Sequence, residues 1–371
     1  MGRSPLRLVS DQGRYPDIAA AWDSRDGRLR DSLEASEFWF DAPSSQQWFP
    51  WEDITHAQAK ASVARFRTLI ESSTSFAAFR AAIGQEFDVY ESVGWDGSGT
   101  VLFTGYYAPE FNASRTPTHQ FTAPIYARPS SLVTDATTGL PIGRRMTDGQ
   151  IESWPPRKDI EASAMLAGTE LFWLENPLDA YIAQVNGSAK LRLTDDSIIY
   201  VGYAGKTDRP YTGLGRTLVD QGHVQPKDLS LPAIEALWNR DPATVQRAMH
   251  ANESFVFFQE YDGGTWPAGS LGVPVTSERS LATDKKIYPR GGVVLVETDA
   301  ITYSSRKRPF TQFMLDQDTG GAIRAPGRAD IFMGIGKAAE ILAGGQYAEG
   351  RLYYLFLKSG AMSYQSTGVH E

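Results

Sequence analysis

Between residues 254 and 358 the chain is a succession of short β-forming runs. "SFVFFQEY", "GVPVT", "GGVVLVET", "RPFTQFML" and "GRLYYLFLK" are rich in β-branched and aromatic residues and are bounded by turn-forming ones. One helical run, "KAAEILAG", interrupts them. So many strands in so short a span constrain this part to a β-barrel-like arrangement within a mixed α and β chain.

The preceding residues are less uniform. Residues 1–50 read as irregular, with "DAPSSQQWFPW" as loop. "ITHAQAKASVARFRTLIESS" places Val63, Phe66 and Ile70 on one helical face, and "STSFAAFRAAIG" does the same with Phe76, Phe79 and Ile83, with Gly84 fitting a C-terminal cap. "TVLFTGYYAPEF" is β-rich, and "SAKLRLTDDSIIYVGYAGK" reads as a hairpin turning at Asp195 and Asp196. Helices are predicted at "LGRTLVDQG", at "SLPAIEALWNR" behind a Ser230 cap, and at "DPATVQRAMH", which opens with Asp241 and Pro242. No Pro/Gly/Ser linker divides the chain into two independent domains.

Composition narrows the chemistry. A net charge of -8 gives no electrostatic footprint for nucleic acid. With no cysteine, disulfides and thiolate metal sites are excluded. His56, His119, His223, His250 and His370 are scattered without metal spacing, so no metal or other cofactor is expected. No apolar run is long enough for a transmembrane segment, and the first residues lack a signal peptide or anchor. No G-x-S-x-G elbow occurs, so acid–base work falls on carboxylates. Aromatic residues make up 12%, which suits either packing or stacking on sugars.

The carboxylates that stand out lie in "LDQDTGGAIRAPGRADIFMGIG". Aspartates among glycines are commonly turn residues, and Asp316 and Asp318 admit that reading. Asp330 stands at the mouth of a predicted strand, where a rigid scaffold can hold a catalytic group. "GIGKAA" has the form of a dinucleotide fingerprint, but the chain ends too soon for a doubly wound fold and no acidic residue follows at the required distance.

Several motifs, in order, resemble the MltA-type membrane-bound lytic murein transglycosylases with their C-terminal three-aspartate module. They are "VLFTGYYAPEF", "VGYAGKTDRPYTGLGRTLVDQG", "NESFVFF", "ATDKKIYPRGG", "DQDTGGAIRAPGRADIFMGIGKAAEILAG" and "GRLYYLFLK", covering about residues 85–360. The resemblance implies a mainly β fold with peripheral helices. A double-psi β-barrel domain would be built from residues 1–108 and 259–371. An inserted β-domain, 109–258, would form the other wall of a groove.

It also implies cleavage of the β-1,4 bond between N-acetylmuramic acid and N-acetylglucosamine in peptidoglycan glycan strands, giving 1,6-anhydromuramic ends. Asp330 would serve as acid and then base, with Asp318, Asp284 and Thr104 beside it, and burial and the like charge of Asp318 would both raise its pKa. Asp316 would be a bystander. Tyr106, Tyr107, Gly205, Lys206 and Tyr211 would line the groove, although Lys206 reads equally as an exposed hairpin lysine. Asn186 stands where the family usually has Gln, and Ala325 where it usually has Gly. The implied location is the bacterial cell envelope: the periplasm, with outer-membrane attachment in the full-length protein, the leader and a lipid-bearing Cys being absent from this sequence. A non-catalytic wall-binding or wall-loosening barrel protein and a water-using glycoside hydrolase are the alternative readings.

Overall fold

The structure, a computed structural model, describes residues 4–10, 15–136 and 138–361; His370 lies outside the described residues. Two compact units divide the chain. The first comprises Met1–Tyr106, Ala268–Gly334 and Ile341–Glu371, and the second Tyr107–Pro267 with Ile335–Glu340. The chain begins with β1 (Leu6–Leu8), α1 (Ala19–Asp23), α2 (Gly27–Asp41), α3 (His56–Ser72), α4 (Phe76–Glu86), β2 (Phe87–Ser92) and β3 (Val101–Ala108). It continues with β4 (Glu110–Ser114), β5 (Ala123–Tyr126), β6 (Leu132–Thr134), β7 (Pro141–Arg145), β8 (Ile151–Glu152), α5 (Arg157–Glu161), β9 (Glu170–Leu174) and α6 (Pro177–Asn186). β10 (Ser188–Leu193), β11 (Ile198–Lys206), α7 (Leu214–Asp220), α8 (Leu231–Arg240), α9 (Pro242–His250) and β12 (Val256–Tyr261) follow. Last come β13 (Ser280–Ala282), β14 (Val293–Ile301), β15 (Lys307–Asp318), β16 (Arg328–Ile335), α10 (Gly336–Gly345) and β17 (Tyr347–Leu357).

In the first unit the strands close on themselves. Their order is β1-β2-β17-β14-β15-β13-β16-β3, and β3 also pairs with β17, which completes a ring of β17, β14, β15, β13, β16 and β3. β13 and β15 run parallel. The start of β14, Val293 to Val296, is buried without alternation, as are Phe313 to Leu315 and Leu352 to Leu357. Strands buried on both faces need continuous apolar sequence. One face fills the barrel. The other is covered by α3 and α4, whose Phe66 and Phe79 pack on Phe313 with ring centroids 4.9 and 5.8 Å away.

β17 makes the closure possible by changing partners. Tyr347 to Gly350 pair with β3, and Arg351 to Leu355 pair with β14. Gly350 sits at the change, where a Cβ would lie 2.1 Å from the Glu297 carbonyl oxygen. Only glycine lets the two backbones approach this closely.

The second unit holds a sheet ordered β12-β11-β10-β4-β9-β5 and a smaller one ordered β6-β7-β8. α6 packs Ala180 and Ala183 onto the larger sheet, against Phe172, Leu191 and Phe258. Its opposite face joins α7, α8 and α9 through Leu178, Tyr181 and Ile182. The unit extends to Pro267 because β12 pairs with β11 along its whole length. Beyond β12, the Trp266 indole donates to the Val201 carbonyl at 2.9 Å and packs on Tyr200.

The sequence reading errs at identifiable places. Residues 1–50 are not irregular: α2 is capped by Asp26, whose carboxylate accepts from Leu29 N at 3.2 Å, and it buries Leu29, Leu33 and Phe40. Gly84 lies inside α4 rather than capping it. "GVPVT" forms no strand but one isolated bridge, at Pro274, a residue that cannot donate to a ladder. α6 went unread, although Asn176-Pro177 opens it and Gly187, at φ 70°, closes it.

Replacing Gly350 with Ala should destabilise the first unit by about 1–3 kcal/mol, the usual cost of overpacking. Urea denaturation of the variant should give a lowered midpoint; an unchanged midpoint would mean that the crossing of β17 tolerates a side chain.

Candidate active site

The acids meet because β13, three residues long, touches two strands at once. Ala282 is the Cα partner of Asp318 on β15 and of Asp330 on β16. Thr283 N donates to the Asp318 carbonyl at 3.0 Å, and Thr319 Oγ1 returns a hydrogen bond to the Thr283 carbonyl at 2.7 Å. Asp284 follows immediately.

Asp330 does not stand at a strand mouth; β16 begins earlier, at Arg328. Burial alternates there, with Ala329 and Ile331 inside and Arg328 and Asp330 outward. On β3, Phe103 points inward and Thr104 outward. Thr104 Oγ1 donates to Asp330 Oδ1. Arg328 Nε donates to the same oxygen at 3.1 Å, while its Nη2 reaches Thr104 Oγ1 at 3.2 Å and Asp330 Oδ2 at 3.4 Å. Oδ2 is therefore the less engaged oxygen, on a side chain 13% exposed. Burial raises the Asp330 pKa, opposed by the Arg328 charge and the Thr104 hydrogen bond. Its charged neighbour is thus a cation, not Asp318 as the sequence reading expects.

Asp318 and Asp284 are engaged differently. Asp318 Oδ1 accepts from Ser270 N at 2.7 Å and Thr319 N at 2.8 Å. Burial raises its pKa against those bonds. Among the described residues the buried Tyr106 hydroxyl has no partner at full hydrogen-bond geometry, Asp318 being the acid beside it; its pKa is raised well above the ordinary value by burial and by nearby Asp318. The Tyr106 ring packs on Phe332, 5.1 Å between centroids. Asp284 accepts from Lys286 N at 3.1 Å and Ala325 N at 3.0 Å. Ala325 has φ 63°, in the left-handed region, which explains why glycine suits that position.

Asp316 is no turn residue. It lies in β15, fully buried, paired with the Lys285 ammonium, whose side chain is 4% exposed. Its carboxylate also accepts from Thr283 Oγ1 at 2.9 and 3.0 Å and from Tyr354 OH at 2.7 Å. Burial pushes the Lys285 pKa down, and Asp316 pulls it back up.

In the second unit, Tyr107, Asn186 and Tyr211 line one cavity of about 210 Å³ with Tyr181, Ile182 and Leu214. Asn186 Nδ2 donates to the Ile182 carbonyl at 2.9 Å, so its amide is engaged by its own helix. Gly205 and Lys206 lie apart from this cavity, at the end of β11. Gly205, at φ 144°, makes room for Arg128, whose Nη1 donates to the Ala204 carbonyl at 2.9 Å. Lys206 is half-buried rather than an exposed hairpin residue.

Two groups escaped the sequence reading. Arg328 was legible, because residues i and i+2 of a strand share a face. Asp179, on α6, has its pKa pushed up to about 6 by burial, with Glu175 and Glu235 adding to the shift; no sequence signal marks it. Among the described residues no group of three or more acids and histidines could hold a metal, and no helix is long and apolar enough to cross a membrane.

Residues 102–259 match the MltA specific insert domain, and residues 279–356 match the 3D domain. The chain is 31% identical over 272 residues to the membrane-bound lytic murein transglycosylase A of Vibrio cholerae, covering 72% of this chain and 68% of that one. It is 31% identical over 279 residues to the protein of the same name from Escherichia coli K12, covering 74% and 70%. Its structure is similar to that of the membrane-bound lytic murein transglycosylase from Agrobacterium tumefaciens, with a TM-score of 0.74 and 26% identity over 93% of this chain and 98% of that one. It shares the fold of E. coli MltA with bound chitohexaose, with a TM-score of 0.69 and 24% identity over 95% and 94%.

The two strand aspartates should respond oppositely to neutralisation. A raised folded pKa means that Asp330 contributes stability below its unfolded value of about 3.9 and loses it as pH rises through the folded value. Asp330→Asn should therefore raise the melting temperature at neutral pH, and the gain should shrink as pH falls toward 4. Asp316→Asn leaves Lys285 without its charge partner and should cost about 3–5 kcal/mol. Melting curves of both variants across pH check the contrast; equal effects would refute it.

Proposed function

Because the chain belongs to the membrane-bound lytic murein transglycosylase A family, we propose that it is a peptidoglycan lytic transglycosylase of the bacterial cell envelope. The observation that carries the reading is the state of Asp330: a carboxyl with a raised pKa, gripped through Oδ1 by Thr104 and Arg328, with Oδ2 lightly engaged. In this reading Oδ2 delivers a proton to the glycosidic oxygen between N-acetylmuramic acid and N-acetylglucosamine. The carboxylate so formed takes the proton of the muramic 6-hydroxyl as that oxygen attacks C1 of its own sugar. The C1–O bond to the leaving sugar breaks, a C1–O6 bond forms, and the product ends in 1,6-anhydromuramic acid. No water is consumed. One acid suffices because the nucleophile is already held next to the reacting carbon.

Thr104 and Arg328 act as positioning residues. Arg328 also stabilises the carboxylate during the second proton transfer. Asp318 and Asp284 shape the site by holding Ser270, Thr319, Lys286 and Ala325, and Tyr106 lies beside Asp318. Within the second unit this reading takes Tyr107, Asn186 and Tyr211, around one cavity, and Gly205 and Lys206, apart from it, as glycan-contacting residues.

Digestion of purified peptidoglycan followed by mass spectrometry tests the reading. Anhydro ends support it, reducing ends would make the protein a hydrolase, and no new ends would make it a binder. Asp330→Asn should lower turnover by at least 10²–10⁴-fold, the usual worth of general acid–base catalysis. Activity within tenfold of the parent would dismiss Asp330 as the acid. Arg328→Gln removes the cation that favours the ionised form, so the upper limb of the pH–rate profile should move to higher pH. A limb that stays in place would separate Arg328 from the titrating group.

A further inference from the structure

Three neighbouring strands of the first unit carry outward side chains in one row. Tyr347 on β17 is the Cα partner of Thr104 on β3. Residues paired in this way send their side chains to the same face, with Cβ atoms about 4.5–5.5 Å apart. On its other side β3 adjoins β16, where Thr104 meets Asp330. Tyr347, Thr104 and Asp330 therefore follow one another across the sheet, and Tyr347 stands two strand spacings, roughly 10 Å, from the acid.

The Tyr347 side chain is 68% exposed. A single exposed ring needs no explanation by itself; its register with the acid and the rigidity of its backbone distinguish this one. Gln346, just before it, is buried, accepts from Ile301 N at 3.0 Å and donates to the Asp299 carbonyl at 2.9 Å. After it, Ala348 is buried and paired with Phe103. The ring is presented to solvent from a fixed backbone, so a ligand stacking on it need not order a loop.

The geometry points to Tyr347 as a stacking platform for a pyranose of the glycan strand, beside the sugar that reacts at Asp330. This rests on the transglycosylase reading. The apolar face of a pyranose suits a flat ring whose hydroxyl end stays wet. A sugar is favoured over the carboxylate-bearing peptide stem, because exposed Glu349 lies two residues on, on the same face of β17.

The test compares the full chain with Tyr347→Ala and Tyr347→Phe. Binding of chitohexaose, a neutral peptide-free glycan, is measured by calorimetry, and turnover is measured on peptidoglycan. A ring contact is worth about 0.5–1.5 kcal/mol, which is about two- to tenfold in affinity. Tyr347→Ala should weaken chitohexaose binding by that factor and raise KM on peptidoglycan with kcat unchanged, the signature of lost uniform binding. Tyr347→Phe should behave as the parent. Unchanged binding in the Ala variant would overturn the platform, as would a loss that Phe does not restore. A defect on stem-bearing peptidoglycan with normal chitohexaose binding would reassign the ring to the peptide. A parent protein that forms anhydro ends while the Ala variant matches it in binding and KM refutes the platform alone. A parent that binds chitohexaose through the ring but forms no anhydro ends refutes the transglycosylase reading and leaves the platform standing. A parent that neither binds nor cleaves refutes both.

Discussion

The first unit is organised around an ion pair sealed from water. Asp316 and Lys285 are both withdrawn from solvent, and the same carboxylate takes hydrogen bonds from Thr283 and Tyr354. Transferring two charges into a protein interior costs several kcal/mol per ion, so such a pair is sustained only where its geometry and remaining hydrogen bonds are satisfied. Here that condition ties together β15, which carries Asp316, the turn after β13, which carries Thr283 and Lys285, and β17, which carries Tyr354. Thr283 lies between Ala282, which registers Asp318 and Asp330, and Asp284. The buried pair thus fixes the segment against which the other three aspartates are arranged.

Four aspartates close in space consequently hold four different environments. Asp316 has a full charge partner, Asp284 has backbone donors on both oxygens, and Asp318 has two donors on one oxygen. Asp330 alone combines partial exposure, a raised pKa and a cation that reaches it mainly from one side. Chemical type is identical across the four, so environment separates anchors from the group suited to move a proton.

Much of this was legible in the sequence where the signal is local. The β-branched and aromatic strand runs, the caps at Ser230 and Asp241 and the hairpin at Asp196 follow from chemistry within a few residues. The burial of Asp316 was not legible, because its partners Lys285 and Tyr354 lie 31 and 38 positions away. The position looks like a turn residue until the strands are paired. α2 was hidden by a different cause: its face mixes Ser32 and Ser36 with leucines, because those serines sit against the Gln317 amide rather than in an apolar core. The charge beside Asp330 was misread because family motifs draw attention to the acids, whereas Arg328 announces itself only through strand alternation.

The partner exchange of β17 bears on how the chain acquires its structure. The ring is joined by contacts between Thr104 and Tyr347, residues separated by most of the polypeptide, and the whole second unit is threaded between them. Synthesis proceeds from the N-terminus at about 5–20 residues per second, and domains tend to fold as they emerge. The Tyr107–Pro267 part of the second unit has its sequence complete well before β17 exists. β2 and β3 meanwhile wait with open edges, the condition in which strands pair with wrong neighbours. Protection during biogenesis is therefore a demand that this topology makes on the cell, set by the order of strands and independent of how stable the finished barrel is.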